Sequence, residues 1–339
     1  MLNIQENVDL KSFTTLGVSA SARFFGRVRS RQDIEEAIIW AKRHNRRILI
    51  LGGGSNVLIS QPLDALVIKN EIKGRRVVSE NNQEIFVEAL SGEDWSEFVR
   101  FTVDQGWYGL ENLFLIYGTV GAAPVQNIGA YGVELEDSFE SLTALDLLTG
   151  ETKVFSKDDC QFSYRQSVFK TVLKNRYFIY SVLFRLQKEA SLKLDYGHLR
   201  EELAASGVKN LNPRVVADAV GKIRTSKLPN PAKLPNAGSF FKNIEVGVTE
   251  FNALNRQYPD MPHFATESGQ IKIPSGWLIE QAGFKGRQQG PVGMHKQQAL
   301  VLINYDSASA RQILDFSQTV KQAVKKKFGL NLEEEVNIF

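Results

Sequence analysis

Three short stretches hold side chains whose types and neighbours could do chemistry. In "SYRQS", Arg165 offers a planar guanidinium, the group best shaped to grip a carboxylate with two parallel hydrogen bonds. In "NAGSFFKN", residues 236–243, the small hydroxyl of Ser239 stands against Phe240 and Phe241, with Asn236, Lys242 and Asn243 around it. A buried strand has no need of Asn and Lys so close, and a solvated turn has no need of paired Phe, so the segment reads as the wall of a site. In "LEEEV", extended backbone puts Glu333 and Glu335 on one face and Glu334 on the other. Each stretch has a plainer reading on spacing alone. Arg165 would serve a surface salt bridge, Ser239 a turn or helix cap, and the glutamates a solvated acidic turn.

Two glycine-rich segments add a binding function. "ILILGGGSNVLIS" invites a dinucleotide reading, a strand running into glycines, but Val57 stands where a third glycine is required and "NVLIS" continues as strand instead of opening a helix. A Rossmann fold is disfavoured. The physical use of such a loop survives, because bare backbone can approach a pyrophosphate where side chains would collide. Residues 115–132, "LIYGTVGAAPVQNIGAYG", form a second such surface in the same half of the chain, neither good helix nor good strand. Together the two predict a large, flat, polar-edged ligand gripped by two loops.

The elements that must carry these groups follow from periodicity. "SARFFGRV" (21–28) reads as a strand, followed by a helix with Ile34, Ala37, Ile38 and Ala41 at helical spacing and Ser30 as N-cap. Short strands follow at 47–51, 65–69 and 85–90, then a helix over 94–104 with Trp95, Phe98, Val99 and Thr102 on one face. Residues 140–188 are strand-rich, with a hairpin turning at Thr149-Gly150. Beyond about 188 the chain is more polar, and a domain break is expected near 188–225. A last helix over 307–328 buries Ile313, Val320, Val324 and Phe328 and stops at Gly329.

Bulk properties narrow the classes. The chain has 339 residues, enough for two or three domains, with 41 basic and 38 acidic residues. That balance predicts no nucleic-acid partner. The basic run Lys325, Lys326 and Lys327 reads as the last turn of a helix. Cys160 is the one cysteine, which excludes an intrachain disulfide and points to a reducing compartment. The four histidines lack ligand spacing, so no metal site is expected, and neither a signal pattern nor a membrane-length run is present. A cytoplasmic protein, not bound to membrane and monomeric, is the expectation.

"LGGGSNVL", "GTVGAAPVQNIGAYG", "FSYRQSVFK", "RTSKLPNP", "AGSFFKN" and "LEEEV" occur in that order, and together they resemble the UDP-N-acetylenolpyruvoylglucosamine reductase family from about Phe13 to the C-terminus. "LKLDYGHL" further resembles the tyrosine-bearing loop of that family's type I branch. The resemblance implies an α+β protein: an FAD-binding domain of the vanillyl-alcohol oxidase and p-cresol methylhydroxylase type plus a separate α+β substrate-binding domain. It implies a first FAD-binding subdomain over 1–70 joined by 330–339, a second over 71–222 with the tyrosine loop near 190–200, and a substrate domain over 223–329. The implied reaction is NADPH-dependent reduction of the enolpyruvyl ether of a UDP-linked amino sugar in peptidoglycan precursor synthesis. Another flavin oxidoreductase of the same fold, or a nucleotide-binding protein without catalysis, are the alternatives. Tyr117 and Glu334 depart from the family pattern, which has proline at both places; the flavin loop is expected to be less rigid at Tyr117.

Residue roles come with the resemblance. FAD, bound non-covalently because neither loop contains histidine, would be held by Leu51, Gly52, Gly53, Gly54, Ser55, Asn56, Val57 and Leu58. The second loop would contribute Gly118, Thr119, Val120, Gly121, Ala122, Ala123, Gln126, Asn127, Gly129, Ala130, Tyr131 and Gly132, and Arg224 would join them. Substrate contacts fall on Tyr196, Lys227, Asn243 and Gln298. The catalytic set is Arg165, Ser239 and Glu335: Ser239 would give a proton to a strongly basic carbanion that Arg165 and Glu335 stabilise. Phe240 and Phe241 would keep water from that proton transfer.

Overall fold

The computed structural model describes every residue except Met1, Gly197 and Glu267. The chain forms two compact units: residues 1–8, 21–54 and 63–226 make the first, and residues 9–20, 55–62 and 227–339 the second. The "GGGSN" loop passes from the first unit to the second between Gly54 and Ser55.

In the first unit, alternation and β-branched residues give strands Ser21–Val28, Ile48–Leu51 and Leu63–Asn70. They lie in a four-stranded sheet with Ile4–Asp9 at one edge, and Leu63–Asn70 pairs in parallel with both of the others. Such parallel pairs need a crossover, and the helix Arg31–Arg43 follows the first of them. Ser30 caps this helix by accepting from the Asp33 amide while Asp33 accepts in return. Ile34, Ala37, Ile38 and Ala41 are its buried stripe, as the helical period requires.

A second sheet in this unit is antiparallel, in the order Thr152–Ser156, Phe139–Asp146, Tyr177–Gln187, Glu84–Leu90, Arg75–Glu80. The hairpin at Thr149-Gly150 is present, with Leu145 opposite Thr152. Helix Trp95–Asp104 buries Trp95, Phe98, Val99 and Thr102. Trp95, Phe98 and Phe184 form an aromatic knot, and the Trp95 indole N–H donates to the Leu113 carbonyl at 2.9 Å. That bond removes the cost of burying the indole and ties the helix to the chain entering the second glycine segment.

The second unit holds a four-stranded antiparallel sheet in the order Asn236–Ser239, Val301–Asn304, Val292–Met294, Gln288–Gln289. A smaller sheet joins Ile244–Val246, Ile271–Ile273 and Phe264–Ala265. Helix Ala310–Phe328 buries Ile313, Phe316, Val320, Val324 and Phe328. Its ends obey the local rules of capping box and left-handed stop. Ser309 and Gln312 form the box, and Gly329 takes φ 75° after a last turn bearing Lys325, Lys326 and Lys327. Asn337–Ile338 pairs in parallel with Val57–Leu58, so 330–339 falls in the second unit beside 55–62.

Candidate active site

The two glycine segments meet inside the first unit. A Cβ on Gly52 would lie 2.6 Å from the Thr119 hydroxyl oxygen, and one on Gly53 would lie 2.9 Å from Gly118 Cα. Space requires glycine at 53, where the clash is with backbone, while at 52 a side chain would have to displace the Thr119 hydroxyl. Lys69 donates its ammonium to the Gly52 carbonyl, and burial lowers its pKa. The amides of Val120, Gly121 and Ala122 are already engaged by the carbonyls of Glu93, Ser91 and Thr119, at 3.0, 2.9 and 3.0 Å. They hold the turn Val120–Gln126 in place instead of pointing at a ligand. What the surface does offer is close backbone approach and the Thr119 hydroxyl, buried without a hydrogen-bond partner among the described residues. An orphan hydroxyl beside a glycine cradle fits a cofactor that brings its own acceptors, as the phosphates of FAD do.

Arg165 sits in a tight turn in which the Ser163 and Gln166 amides each donate to the other's carbonyl, at 3.2 and 3.0 Å. The turn puts Arg165 at φ 56°, in the left-handed region. That conformation costs a non-glycine residue roughly 1–2 kcal/mol. Its guanidinium is fixed on two sides, Nη2 donating to the Gly129 carbonyl at 2.6 Å and Nη1 pairing with Glu134 Oε1 at 3.3 Å. The side chain is 17% exposed, so this is no surface salt bridge. Gly129–Ala130 and Val133–Glu134 form a two-residue hairpin. Its tip places Tyr131 at φ 51° and Gly132 at φ 77°. Such hairpins prefer a left-handed pair there.

Asn127, expected among the cofactor contacts, turns its side chain into the protein. It is fully buried at φ 43°, its amide donates to Glu134 Oε2 at 2.8 Å and Glu136 Oε1 at 2.9 Å, and its oxygen accepts from the Glu136 amide at 3.1 Å. Leu51, Val120 and Ala123 are also buried, which limits them to backbone contacts. Gln126 takes the Lys170 ammonium at 3.2 Å.

Arg224 donates Nε to the Leu115 carbonyl at 3.2 Å. Burial pushes its pKa down, Tyr131 and Tyr117 act to raise it, and Arg165 acts to lower it. Two phenols and a second guanidinium therefore lie within electrostatic reach of Arg224. Tyr117 is 41% exposed and precedes Gly118 at φ 142°. Tyr196 packs edge-on against Tyr131, ring centroids 6.5 Å apart, over the bare Gly132, where a Cβ would meet Tyr196 Cβ at 3.4 Å. Asn112 anchors this corner by donating to the carbonyls of Tyr131 and Lys193, both at 2.8 Å.

In the second unit the structure brings together Ser239 and Glu335. Ser239 ends a strand opposite Val301, and the next residues run antiparallel to the C-terminal segment. The Glu335 amide donates to the Phe240 carbonyl at 2.8 Å and the Lys242 amide to the Glu333 carbonyl at 2.9 Å. Asn56 donates its side-chain amide to the Glu335 carbonyl at 3.3 Å. Among the described residues no side-chain hydrogen bond holds the Ser239 hydroxyl. Glu334 turns to the last helix, where it accepts from Lys321 at 2.9 Å and from the Ser317 hydroxyl at 3.3 Å. The ladder bonds use the Glu333 carbonyl and the Glu335 amide, not the Glu334 amide.

The two phenylalanines do not wall a site. Both are fully buried in the core of the second unit, their rings 5.2 Å apart and edge to face. Rings with no exposed surface cannot touch a bound molecule; they fix the backbone that presents Ser239. Asn243 and Gln298 converge on the start of helix Ser275–Gln281: Asn243 Oδ1 accepts from the Ser275 amide at 3.1 Å, and Gln298 Oε1 lies 3.1 Å from a Cβ built on Gly276. Lys227, exposed, closes helix Pro213–Lys227. Arg165 belongs to the first unit and Ser239 and Glu335 to the second.

Residues 230–339 match the family model for the C-terminal domain of UDP-N-acetylenolpyruvoylglucosamine reductase, and residues 22–156 match an FAD binding domain. A UDP-N-acetylenolpyruvoylglucosamine reductase of Pseudomonas fluorescens is 46% identical over 99% of both chains. The chain belongs to this reductase family. The reductase of Flavobacterium johnsoniae is 42% identical over 99% of this chain and 100% of its own. A crystal structure of the reductase from Thermus caldophilus, 22% identical, covers 100% of both chains with a TM-score of 0.68 and shares the fold. Membership settles the fold as an FAD-binding domain of the vanillyl-alcohol oxidase type followed by the reductase C-terminal domain, and the activity as that of an FAD-dependent oxidoreductase.

Glu134 escaped the sequence reading. Nothing in "VELED" separates it from Glu136 or Asp137, and its partner Arg165 lies 31 residues away. The one local signal was its position just after a Tyr-Gly hairpin tip in a glycine-rich segment.

Proposed function

We propose that this reductase converts UDP-N-acetyl-3-O-(1-carboxyvinyl)glucosamine to UDP-N-acetylmuramate with Arg165, Ser239 and Glu335 as its catalytic residues. FAD, when bound and reduced by NADPH, would supply the hydride for the methylene carbon of the enolpyruvyl group. The chain's own residues manage the charge and the proton. Addition leaves negative charge on the carbon beside the carboxylate, delocalised into it; Arg165 holds that carboxylate and is already positioned, so little reorganisation is needed as charge develops. Glu335 assists in holding that state, and Ser239 gives its hydroxyl proton to the carbon. A serine hydroxyl is a weak acid, but a carbanion beside a carboxylate is basic enough to take its proton. Tyr196, Lys227, Asn243 and Gln298 bind the UDP-sugar. The glycine cradle of residues 52–53 and 118–119 would hold FAD without a covalent link, and Arg224 would add positive charge.

The observation that carries these roles is Arg165 itself, kept in a left-handed turn and fixed by Gly129 and Glu134 when a relaxed surface arginine would need neither. The test follows NADPH oxidation by the purified protein with and without the enolpyruvyl nucleotide. Consumption that depends on the nucleotide and collapses in Arg165→Ala is expected; nucleotide-independent consumption, or an Arg165→Ala enzyme as fast as wild type, would overturn the reading. We also propose that the enzyme works as a cytoplasmic monomer without a nucleic-acid or membrane partner. Cys160 is the one cysteine of the sequence, which suits a reducing compartment. No helix among the described residues is long and apolar enough to cross a membrane. Sedimentation at the 38.0 kDa of one chain is the expected result.

A further inference from the structure

We infer that Glu134 is a positioning residue for Arg165, held in place by Asn127, and that it acts only on the half-reaction with the enolpyruvyl substrate. The inference rests on the role proposed for Arg165. The Asn127 amide reaches Glu134 Oε2 at 2.8 Å, a full hydrogen bond, whereas Glu134 Oε1 stands 3.3 Å from Arg165 Nη1. The latter is longer than the roughly 2.7–2.9 Å usual for a tight charged pair. Glu134 is thus set by Asn127, and its Oε1 is presented to Arg165 Nη1. On the other edge of the guanidinium, Nη2 donates to the Gly129 carbonyl at 2.6 Å.

The two Asn127 amide hydrogens go to Glu134 Oε2 at 2.8 Å and Glu136 Oε1 at 2.9 Å, and the Ser163 carbonyl, 3.3 Å away, can only share one of them. The same buried side chain thus sits between the Glu134 carboxylate and the strained turn that carries Arg165. Contacts at both terminal nitrogens, Glu134 at Nη1 and the Gly129 carbonyl at Nη2, fix the guanidinium plane before a substrate carboxylate arrives.

The experiment measures both half-reactions of the FAD-loaded enzyme by flavin absorbance, for Glu134→Gln and Glu134→Asp. Glu134→Gln keeps the shape and removes the charge; reoxidation by the enolpyruvyl nucleotide should slow by roughly tenfold to a hundredfold, the range for a misplaced catalytic group. Reduction by NADPH should stay within about twofold, because that step needs no grip on the enolpyruvyl carboxylate. Glu134→Asp, which keeps the charge one methylene further back, should recover part of the rate. In an Arg165→Lys background, Glu134→Gln should add almost nothing, since residues acting as a unit are not additive.

Equal slowing of both half-reactions, no slowing of either, or full additivity with Arg165→Lys would each overturn the assignment of Glu134. An Arg165→Ala enzyme at wild-type rate would defeat the role of Arg165 itself, an outcome separate from these. If Glu134→Gln fails to fold, the same half-reaction split must appear in Glu134→Asp, at smaller amplitude, for the inference to stand.

Discussion

Arg165 and Gly129 interlock: Nη2 of the arginine donates to the glycine carbonyl at 2.6 Å, and a Cβ on that glycine would lie 2.8 Å from Nη1. The backbone conformation at residue 129 does not demand glycine, since its φ is not in the left-handed region. The space does, since that Cβ would also stand 3.0 Å from both the Val133 carbonyl oxygen and Glu134 Cγ. Gly129→Ala should therefore fold and bind FAD but displace the arginine, slowing reoxidation by the enolpyruvyl nucleotide by about 10²-fold with NADPH reduction little changed. Stopped-flow flavin absorbance on both half-reactions checks it. A normal reoxidation rate would mean that the fork moves without consequence.

Gly53 tests the cofactor cradle. Its missing Cβ would stand 2.9 Å from Gly118 Cα, backbone against backbone, where no flexible side chain can give way. Gly53→Ala should force the two loops apart, an overpacking strain that weakens FAD binding by roughly tenfold or more. The protein should then purify pale. Flavin content and fluorescence titration of the apoprotein are the measurements. Acid precipitation of wild type should leave all flavin in the supernatant, since no covalent link is expected.

How much of this was legible in the sequence follows the range of the interactions. Helix Arg31–Arg43, the Thr149-Gly150 hairpin and the final helix with its Gly329 stop were readable because caps, turn residues and periodicity act within a few positions. The glycine loops announced a close approach, but not that Gly52 meets Thr119 and Gly53 meets Gly118. Ser239, Glu335 and Arg165 were marked by resemblance, since on spacing alone each had a plainer reading. The paired phenylalanines misled: two large rings beside a hydroxyl looked like a site wall, and they are core. Asn127 was legible only as an FAD contact, and its pairing with Glu134 was not, because these contacts involve a turn some thirty residues on.

Asp146 links pH to stability away from the site. Burial pushes its carboxyl up, but the Arg176 guanidinium at 2.7 Å and the amides of Leu148 and Thr149 together pull harder, and its pKa lies below the ordinary value. A depressed folded pKa contributes stability that is fully present above the unfolded value of about 3.9 and lost as pH falls through the folded one. Asp146→Asn should thus cost about 2 kcal/mol at neutral pH, the worth of charged hydrogen bonds. The gap to wild type should narrow below about pH 4. Denaturant melts at several pH values measure it, and a gap constant with pH would remove the charge from the explanation.

Ser239 carries the sharpest expectation. Its hydroxyl is half-buried and held by no side-chain hydrogen bond among the described residues, while its backbone is fixed by pairing with Val301 and by the buried Phe240 and Phe241 that follow. A hydroxyl so placed is positioned by the strand and free to turn its proton toward a ligand. Ser239→Ala removes one oxygen at a strand end and leaves the core rings untouched, so the fold and the flavin should survive. Reduction by NADPH needs no acid at the substrate carbon and should proceed at the wild-type rate. Reoxidation by the enolpyruvyl nucleotide should slow by roughly 10²- to 10⁴-fold, the contribution of a positioned general acid. Ser239→Cys should regain part of that rate, because a thiol also gives a proton. In deuterated solvent, the wild-type reoxidation step should slow and the alanine variant's should lose that extra sensitivity to the serine proton. If alanine slowed both half-reactions alike, Ser239 would be a structural strand-end residue and the proton would have to come from elsewhere.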